Sequence, residues 1–259
     1  MKFVSYKLNG LPKFGAFLNE SVYDLTQKIG CEVSTLKQLL EKQVLPSTEE
    51  ILELGKIVPV KEIEFLPVIP DPDKIICVGV NYEEHRKETK RPKVNFPTLF
   101  TRFSESQIGH LQSVIKPKQS EKLDFEGELA VIIGHSARNI SENQAMSCVA
   151  GFSCFNDVTV RDWQRHSSQF TPGKNFSGTG SLGPFMTTIS DVPDYRLLKL
   201  ETRLNKKRMQ TAELSQLIFS IPEIISYCSS FTKDLATETN FSPSRPLEFE
   251  TDIQSLVNL

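Results

Sequence analysis

The residues best suited to chemistry are two glutamates separated by one glycine, in the stretch from Leu123 to Gly134. In an extended strand, residues two apart point to one face and lie roughly 7 Å apart, so Glu126 and Glu128 direct two carboxylates at one spot. Gly127 between them is expected to leave the opposite side empty. Two like charges this close repel unless a cation lies between them or one takes up a proton. The pattern is therefore the first indication of a metal site.

A third carboxylate is expected at the end of another strand. The apolar run from Val149 to Phe155 predicts a strand that delivers Asp157, and side chains that do chemistry are commonly presented at strand ends. Three carboxylates without a nearby histidine or cysteine pair suit Mg²⁺, Mn²⁺ or Ca²⁺ better than zinc. The alternative for Glu126 and Glu128 is a solvated strand face, because charged residues usually lie outside.

A possible general base lies on a predicted helix from Tyr82 to about Lys90, where Asn81 and Glu84 form a capping-box pattern. His85 and Glu88 are three residues apart on this helix and share a face. A carboxylate beside an imidazole orients it and raises its pKa, as a base that activates water requires. An ordinary surface pair has the same pattern, so the pair matters only if the helix faces the metal.

Other polar residues carry weaker signals. Lys174 is isolated in the sequence, and an isolated lysine is more often solvent-facing. The segment from Gly178 to Gly183 lacks the Gly-Lys-Ser/Thr ending of a phosphate loop, which argues against nucleotide binding. His135 and His166 have no partner at ligand spacing, and Trp163 is assigned to packing.

Composition narrows the class of protein. A length of 259 residues fits one catalytic domain with a small appendage. The chain has 30 Lys and Arg against 32 Asp and Glu, a net charge of −2, and this balance argues against a nucleic-acid partner. Its start has no signal-like apolar core and no apolar run is long enough for a bilayer, so we expect a cytoplasmic protein without a membrane partner. Its five scattered cysteines indicate reduced core residues.

The elements before the candidate site suggest a small first domain. Residues 1 to about 20 predict a β-hairpin, and Ser34 to Lys42 and Thr48 to Leu54 predict short helices. Four prolines between Pro59 and Pro72 favour an extended connection. The sequence therefore predicts a small N-terminal α+β domain over residues 1–70 and a catalytic domain over residues 71–259.

The elements that must position the candidate residues follow this connection. The polar segment from Arg161 to Gly183 is expected to be a functional loop. Without regular βαβ spacing, periodicity leaves both mixed α/β and α+β open. The predicted strands are Lys74 to Val80, Pro97 to Phe103, Val114-Ile115, Leu123 to Gly134, Val149 to Phe155, Leu198 to Leu204 and Leu247 to Glu250, and the helices are Ser141 to Val149 and Ser220 to Ser229.

Together, five motifs between Lys74 and Tyr227 resemble the fumarylacetoacetate hydrolase family in order and spacing. They are Lys74 to Tyr82 with His85 and Glu88, Asp124 to Ala130, Asn156 to Val158 with Arg161 to Gln164, Gly173 to Phe176, and Leu182 to Pro184. This resemblance implies an α+β fold built on a mixed β-sheet roll with flanking helices, a smaller N-terminal domain and a homodimer.

The resemblance also implies roles for individual residues. It assigns Mg²⁺ or Mn²⁺ to Glu126, Glu128 and Asp157. It assigns catalytic roles to His85, Glu88 and Lys174, and substrate contacts to Gln164, Lys174 and Thr239.

The activity implied by the resemblance is divalent-metal-dependent cleavage of a carbon-carbon bond in an acylpyruvate or related 2,4-dioxo acid. Under this hypothesis His85 takes a proton from water, Lys174 adds positive charge, and the metal stabilises an enolate. The alternatives are an isomerase or decarboxylase of hydroxymuconate-type dicarboxylates, and a catalytically silent homologue that binds a metabolite.

The end of the chain departs from the family pattern. No glycine follows Gly183, and Asp234 to Thr239 only partly matches the closing loop, with Glu238 at a glycine position. The family's closing turns need residues at positive φ, where glycine is favoured. Either this end folds differently or the sequence omits turn residues of the natural chain, and the role of Thr239 depends on which holds.

Overall fold

The computed structural model describes residues 1–88, 90–232 and 253–257, with residues 84, 85, 88 and 253–257 described as backbone only. The described strands are β1 (Lys2–Leu8), β2 (Leu11–Leu18), β3 (Ser21–Asp24), β4 (Lys56–Pro59), β5 (Glu64–Phe65), β6 (Ile75–Gly79), β7 (Thr98–Arg102), β8 (Gln107–Ile108), β9 (Leu123–Asp124), β10 (Gly127–Ile133), β11 (Val149–Asp157), β12 (Thr159–Val160), β13 (Gly180–Leu182), β14 (Met186–Thr188), β15 (Lys199–Leu204), β16 (Lys207–Glu213) and β17 (Ile253–Val257).

The helices in the same ranges are short. They are α1 (Leu36–Glu41), α2 (Thr48–Leu54), α3 (Glu83–Glu88), α4 (Glu142–Ala145), α5 (Arg161–Gln164), α6 (Thr171–Lys174) and α7 (Ile221–Phe231). Single 3₁₀ turns cover Val60–Glu62, Ser104–Ser106, Met146–Cys148, Ile189–Asp191, Tyr195–Leu197 and Leu214–Gln216. None of these helices has both the length and the hydropathy needed to cross a membrane.

The N-terminal elements follow their local sequence signals. β1 and β2 form the predicted antiparallel hairpin, and Asn9 and Gly10 make the turn at φ values of 51° and 79°. Such positive angles favour asparagine and glycine in two-residue hairpin turns. Helix α2 has the predicted bounds and begins with a capping box between Ser47 and Glu50.

The proline-rich connection contributes two short strands to the main sheet. β4 pairs with β3 and β5 pairs with β1, while Val68 and Ile69 are fully buried. β1 also pairs with β14, so the N-terminal strands and the later strands share one mixed sheet, whose β8 and β13 run parallel. The division of domains between residues 70 and 71 stays a prediction.

Strand β10 is buried on both faces. Leu129, Val131 and Ile133 pack in the apolar cluster that contains α7. Ala130 and Ile132 pack in the cluster that contains the N-terminal hairpin and α1. This explains the continuous apolar run after Glu128, because a strand covered on both sides has no solvent-facing residues.

Two local predictions were wrong. Val114 and Ile115 lie in an irregular segment, because a strand needs a pairing partner and two apolar residues do not supply one. Asn81 does not cap α3, which begins at Glu83 and lies within the predicted helix. Its buried side-chain amide pairs instead with the main chain of Phe219, at 2.9 Å and 2.8 Å.

The region after the last glycine forms at least one tight turn without glycine. β15 and β16 pair as a hairpin through Asn205 and Lys206, at φ values of 49° and 66°. β17 then pairs antiparallel with β15. The predicted strand Leu247 to Glu250 lies outside the described residues.

Candidate active site

Three carboxylates meet at the junction of β9, β10 and β11. One oxygen from each of Glu126, Glu128 and Asp157 lies within 4.8 Å of the others, and the three residues are 1%, 0% and 0% exposed. The main chain fixes this meeting point, because Asp157 N donates to Glu126 O at 2.8 Å and Glu126 N donates to Asn156 Oδ1 at 3.1 Å. The alternative of a solvated strand face is therefore wrong.

Glycine is required at position 127 because Thr202 packs directly against its Cα. A Cβ on Gly127 would overlap Thr202 Oγ1 on β15, so the side expected to be empty is closely covered. The Gly127 N–H donates to Gln210 Oε1 at 3.1 Å. The β15–β16 hairpin therefore holds the main chain between Glu126 and Glu128 from the back.

Lys174 is buried among the acids rather than solvent-facing. Its ammonium donates to Glu126 Oε2 and to Asp157 Oδ2, and lies 4.8 Å from the centre of the Phe100 ring. Helix α6 brings it there because Gly173 abuts the main chain of Gln164 on α5, where a Cβ would overlap. The functional loop predicted for this region thus contains two short helices packed together.

Two buried arginines complete the cluster, and sequence analysis assigned neither a role. Arg102 Nη1 donates to Asp157 Oδ1 at 2.5 Å. Arg161 Nη2 donates to Glu126 Oε1 at 2.7 Å, and its Nε donates to Asp124 Oδ2 at 2.8 Å. A usable signal existed for Arg102, since it shares the inward face of β7 with Phe100.

Glu128 differs from the other acids of the cluster. Neither of its oxygens has a hydrogen-bond partner among the described residues, although the side chain is fully buried. An orphaned buried carboxylate is costly, so a bound cation would complete this site. The donor set of three carboxylates also suits a hard divalent metal, and the residues present fit one.

The pKa values of the buried acids differ because, among the described residues, some of these acids contact cationic side chains and Glu128 does not. Burial and the nearby Asp157 raise the pKa of Glu128 well above its usual range. Burial alone would also raise the pKa of Glu126, but Arg161 and Lys174 outweigh it and lower that pKa to about 2. Burial raises the pKa of Asp124 to about 6, although Arg161 opposes the shift. Without a metal, the proton of the cluster therefore belongs on Glu128.

The remaining predicted residues are placed to different degrees. Gln164 is half-buried beside the cluster, and its Oε1 accepts from Arg161 Nη1 at 3.1 Å. His85 and Glu88 lie on α3, but their side chains are outside the description. Thr239 lies outside the described residues altogether.

The fold combines a mixed sheet with short helices and buries three carboxylates around a lysine, an arrangement that could hold a hard divalent cation. The family model for the fumarylacetoacetate (FAA) hydrolase C-terminal region matches residues 74–237. The chain belongs to this family.

Relatives of this chain include oxaloacetate tautomerases. Human oxaloacetate tautomerase FAHD2A, mitochondrial, is 38% identical over 177 residues, which cover 68% of this chain and 56% of that protein. The chain thus matches little more than half of that relative's length.

The solved structures confirm the α+β fold. A fumarylacetoacetate hydrolase from Exiguobacterium antarcticum matches with a TM-score of 0.85 and 25% identity, covering 100% of this chain and 95% of its own. A maleylpyruvate hydrolase from Sphingobium sp. SYK-6, in complex with manganese(II) and pyruvate, matches with a TM-score of 0.83 and 20% identity over the same fractions.

Proposed function

We propose that the protein is a divalent-metal-dependent enzyme that promotes enolisation of a small 2-oxo dicarboxylic acid, with keto–enol tautomerisation of oxaloacetate as its reaction. The observation that carries this proposal is the buried Glu128, which has no partner among the described residues and lies beside two further carboxylates. The 38% identical human tautomerase supports the choice of oxaloacetate.

Glu126, Glu128 and Asp157 would hold Mg²⁺ or Mn²⁺. In this cluster the buried acids are Asp124, Glu126, Glu128 and Asp157, and the buried bases are Arg102, Arg161 and Lys174. With all of these groups ionised, the four acids and three bases have a net charge of about −1. A bound divalent cation would change this to about +1, which favours an anionic substrate. A bound divalent cation supplies Lewis-acid polarisation of a carbonyl next to a carboxylate.

Lys174 would act on the substrate oxygen that gains negative charge. Burial alone would lower its pKa, but Asp157, Glu126 and Glu128 outweigh this effect and raise it, so the side chain stays an ammonium. A buried ammonium stabilises a developing oxyanion more strongly than it would in water. Gln164, oriented by Arg161, would donate from its amide nitrogen to a substrate carboxylate.

A second candidate reaction is hydrolysis of a carbon–carbon bond in an acylpyruvate or related 2,4-dioxo acid. The specific observation in its favour is that α3 places His85 and Glu88 three residues apart on one helix. Such a pair can take a proton from water, which hydrolysis needs and tautomerisation does not. Isomerisation or decarboxylation of hydroxymuconate-type dicarboxylates uses the same enol stabilisation without water.

The test is conversion of oxaloacetate enol to ketone, followed by enol absorbance in Mg²⁺ or Mn²⁺, with the rate of metal alone subtracted. Wild type should exceed the metal-only rate, and Glu128→Gln should lose this excess because an amide is a poor ligand for the cation. Glu213→Gln, at an exposed position on β16, should retain it. An unchanged excess in Glu128→Gln would overturn the proposal.

Product analysis on acylpyruvates and hydroxymuconates separates the two reactions. If the enzyme is a hydrolase, acylpyruvates yield pyruvate and His85→Ala stops this release. If it is a tautomerase, oxaloacetate is converted while acylpyruvates persist. Metal binding without turnover of any substrate would identify a silent homologue. The homodimer that the family resemblance implies is tested separately, by light scattering of the protein as it elutes from a size-exclusion column.

A further inference from the structure

Arg102 is bound on every side in the interior. Besides Asp157, its guanidinium donates to Thr179 Oγ1 at 2.8 Å, to Val158 O at 3.2 Å and to Ser106 Oγ at 3.3 Å. A Cβ at residue 180 would lie 2.9 Å from Nη2, so glycine is needed there. These contacts come from three segments of chain and leave the guanidinium little freedom to move.

This fixed guanidinium binds only one of the two carboxylate oxygens of Asp157. Oδ1 accepts from Arg102, whereas Oδ2 accepts from Lys174. Since the same ammonium also contacts Glu126 Oε2, the oxygens Oδ2 and Oε2 face each other across it. The two oxygens of Glu126 likewise have different partners, since Oε1 accepts from Arg161 and Oε2 from Lys174. Each of these two carboxylates therefore turns one oxygen toward the centre of the cluster.

The number of oxygens that a carboxylate offers distinguishes cations. Ca²⁺ takes 6–8 oxygen ligands and often binds a carboxylate through both oxygens, whereas Mg²⁺ demands a near-ideal octahedron and keeps several waters. Single-oxygen donors therefore favour the smaller cations. Of the three carboxylates, only Glu128 has both oxygens without a partner among the described residues.

We infer that Arg102 is a positioning residue that restricts Asp157 to one ligand oxygen and thereby makes the site prefer Mn²⁺ and Mg²⁺ over Ca²⁺. This inference rests on the proposed metal site. Arg102 gives a cleaner test than Arg161, because Arg161 also holds Asp124.

The experiment is calorimetric titration of Mn²⁺ and of Ca²⁺ into metal-stripped protein, with electron paramagnetic resonance of bound Mn²⁺ as a second readout. Wild type should bind Mn²⁺ more tightly than Ca²⁺. Arg102→Met should reduce the ratio of the Ca²⁺ and Mn²⁺ dissociation constants about tenfold, since residues that orient metal ligands shift affinity by about 10–100-fold. Arg196→Met, in a surface arginine–aspartate pair, should leave the ratio unchanged.

Two further variants keep the test decisive if Arg102→Met does not fold. Arg102→Lys retains the charge without the planar fork and should shift the ratio in the same direction by less. Thr179→Val removes one acceptor of the guanidinium while keeping every charge, and should shift it by about twofold to threefold. Failure of wild type to bind any divalent cation would remove the proposed function. Normal Mn²⁺ binding with an unchanged ratio in all folded variants would overturn this inference alone.

Discussion

Two arginine–aspartate pairs in this molecule have similar geometry and opposite surroundings. Arg102 and Asp157 meet at 2.5 Å with both side chains fully buried. Arg196 and Asp194 meet at 2.8 Å on the surface, where the arginine side chain is 66% exposed. Water screens the second pair, while the first exchanges hydration for fixed partners. The surroundings, more than the distance, therefore decide how strongly the molecule depends on each pair.

The buried pair also belongs to a cluster, whereas the surface pair stands between residues two apart in sequence. Arg102, Lys174 and Arg161 each satisfy a carboxylate that has no access to water. Removing one cation leaves a buried charge that water cannot compensate. Removing Arg196 leaves Asp194 beside solvent. Substitutions in the two regions should therefore differ widely in their effect on stability.

The largest effect is expected for Lys174→Met in metal-free protein. The substitution leaves Glu126 and Asp157 with one cation fewer, and breaking a buried pair costs about 3–5 kcal/mol. Urea unfolding measures this loss, and added Mn²⁺ should restore part of it by mass action. Lys116→Met, in an exposed pair with Glu121, is the matched control and should change stability little. Equal effects of the two substitutions would contradict the contrast.

Gly127→Ala should have the next largest effect, because the cluster also depends on the shape of its backing. The added methyl group overlaps Thr202 Oγ1, and overpacking a buried site costs about 1–3 kcal/mol. Thr202→Ala removes that oxygen, which has no partner among the described residues. In a double-mutant cycle by urea unfolding, Thr202→Ala should offset part of the loss. Strict additivity would show that the contact does not limit the strand.

Local sequence rules were sufficient wherever one segment determines its own structure. The turn at Asn9-Gly10 and the capping box of α2 follow from neighbouring residues. The meeting of Glu126, Glu128 and Asp157 was also predictable, because strand alternation and a strand end place these carboxylates. The family resemblance assigns Lys174 to the site, and the structure buries it between Glu126 and Asp157.

Local sequence rules did not predict residues whose partners lie far away in the sequence. Asn81 has a capping sequence but pairs with Phe219, which lies 138 residues later. The sequence assigns Arg102 no role because its partner Asp157 comes from another strand, 55 residues later. The side of Gly127 expected to be empty is covered by the β15–β16 hairpin, which comes about seventy residues later in the chain. The glycine-free end formed a tight turn with Asn205, which tolerates the left-handed region.

The pH dependence of metal-free stability should follow the buried acids. Burial raises the folded-state pKa of Glu128 above its ordinary 4.5 and that of Asp124 to about 6. At these two groups the folded state binds more protons than the unfolded state, so their contribution to stability is greatest below the unfolded pKa values and falls as the pH rises through the folded ones. Each group contributes a slope of up to about 1.4 kcal/mol per pH unit.

Urea unfolding across this pH range, with Glu128→Gln as comparison, measures the contribution. The variant should lose the part of the slope that Glu128 contributes and keep the part that Asp124 contributes up to about pH 6. Calorimetry in buffers of different ionisation enthalpy should show proton release when Mn²⁺ binds wild type, since a ligand carboxylate must be ionised. A stability that rises with pH in this range would contradict the protonation of Glu128.

The smallest effect is expected for Arg196→Met, which tests the other side of the contrast. The Arg196 guanidinium lowers the pKa of Asp194 through a two-pronged hydrogen bond, so this pair has as good a geometry as a surface pair can have. If the exposure of the pair determines its contribution, the free energy of unfolding measured in urea should change by less than about 0.5 kcal/mol. Added salt should reduce even that difference. A loss comparable with that of Lys174→Met would mean that hydrogen-bond geometry outweighs burial in this protein.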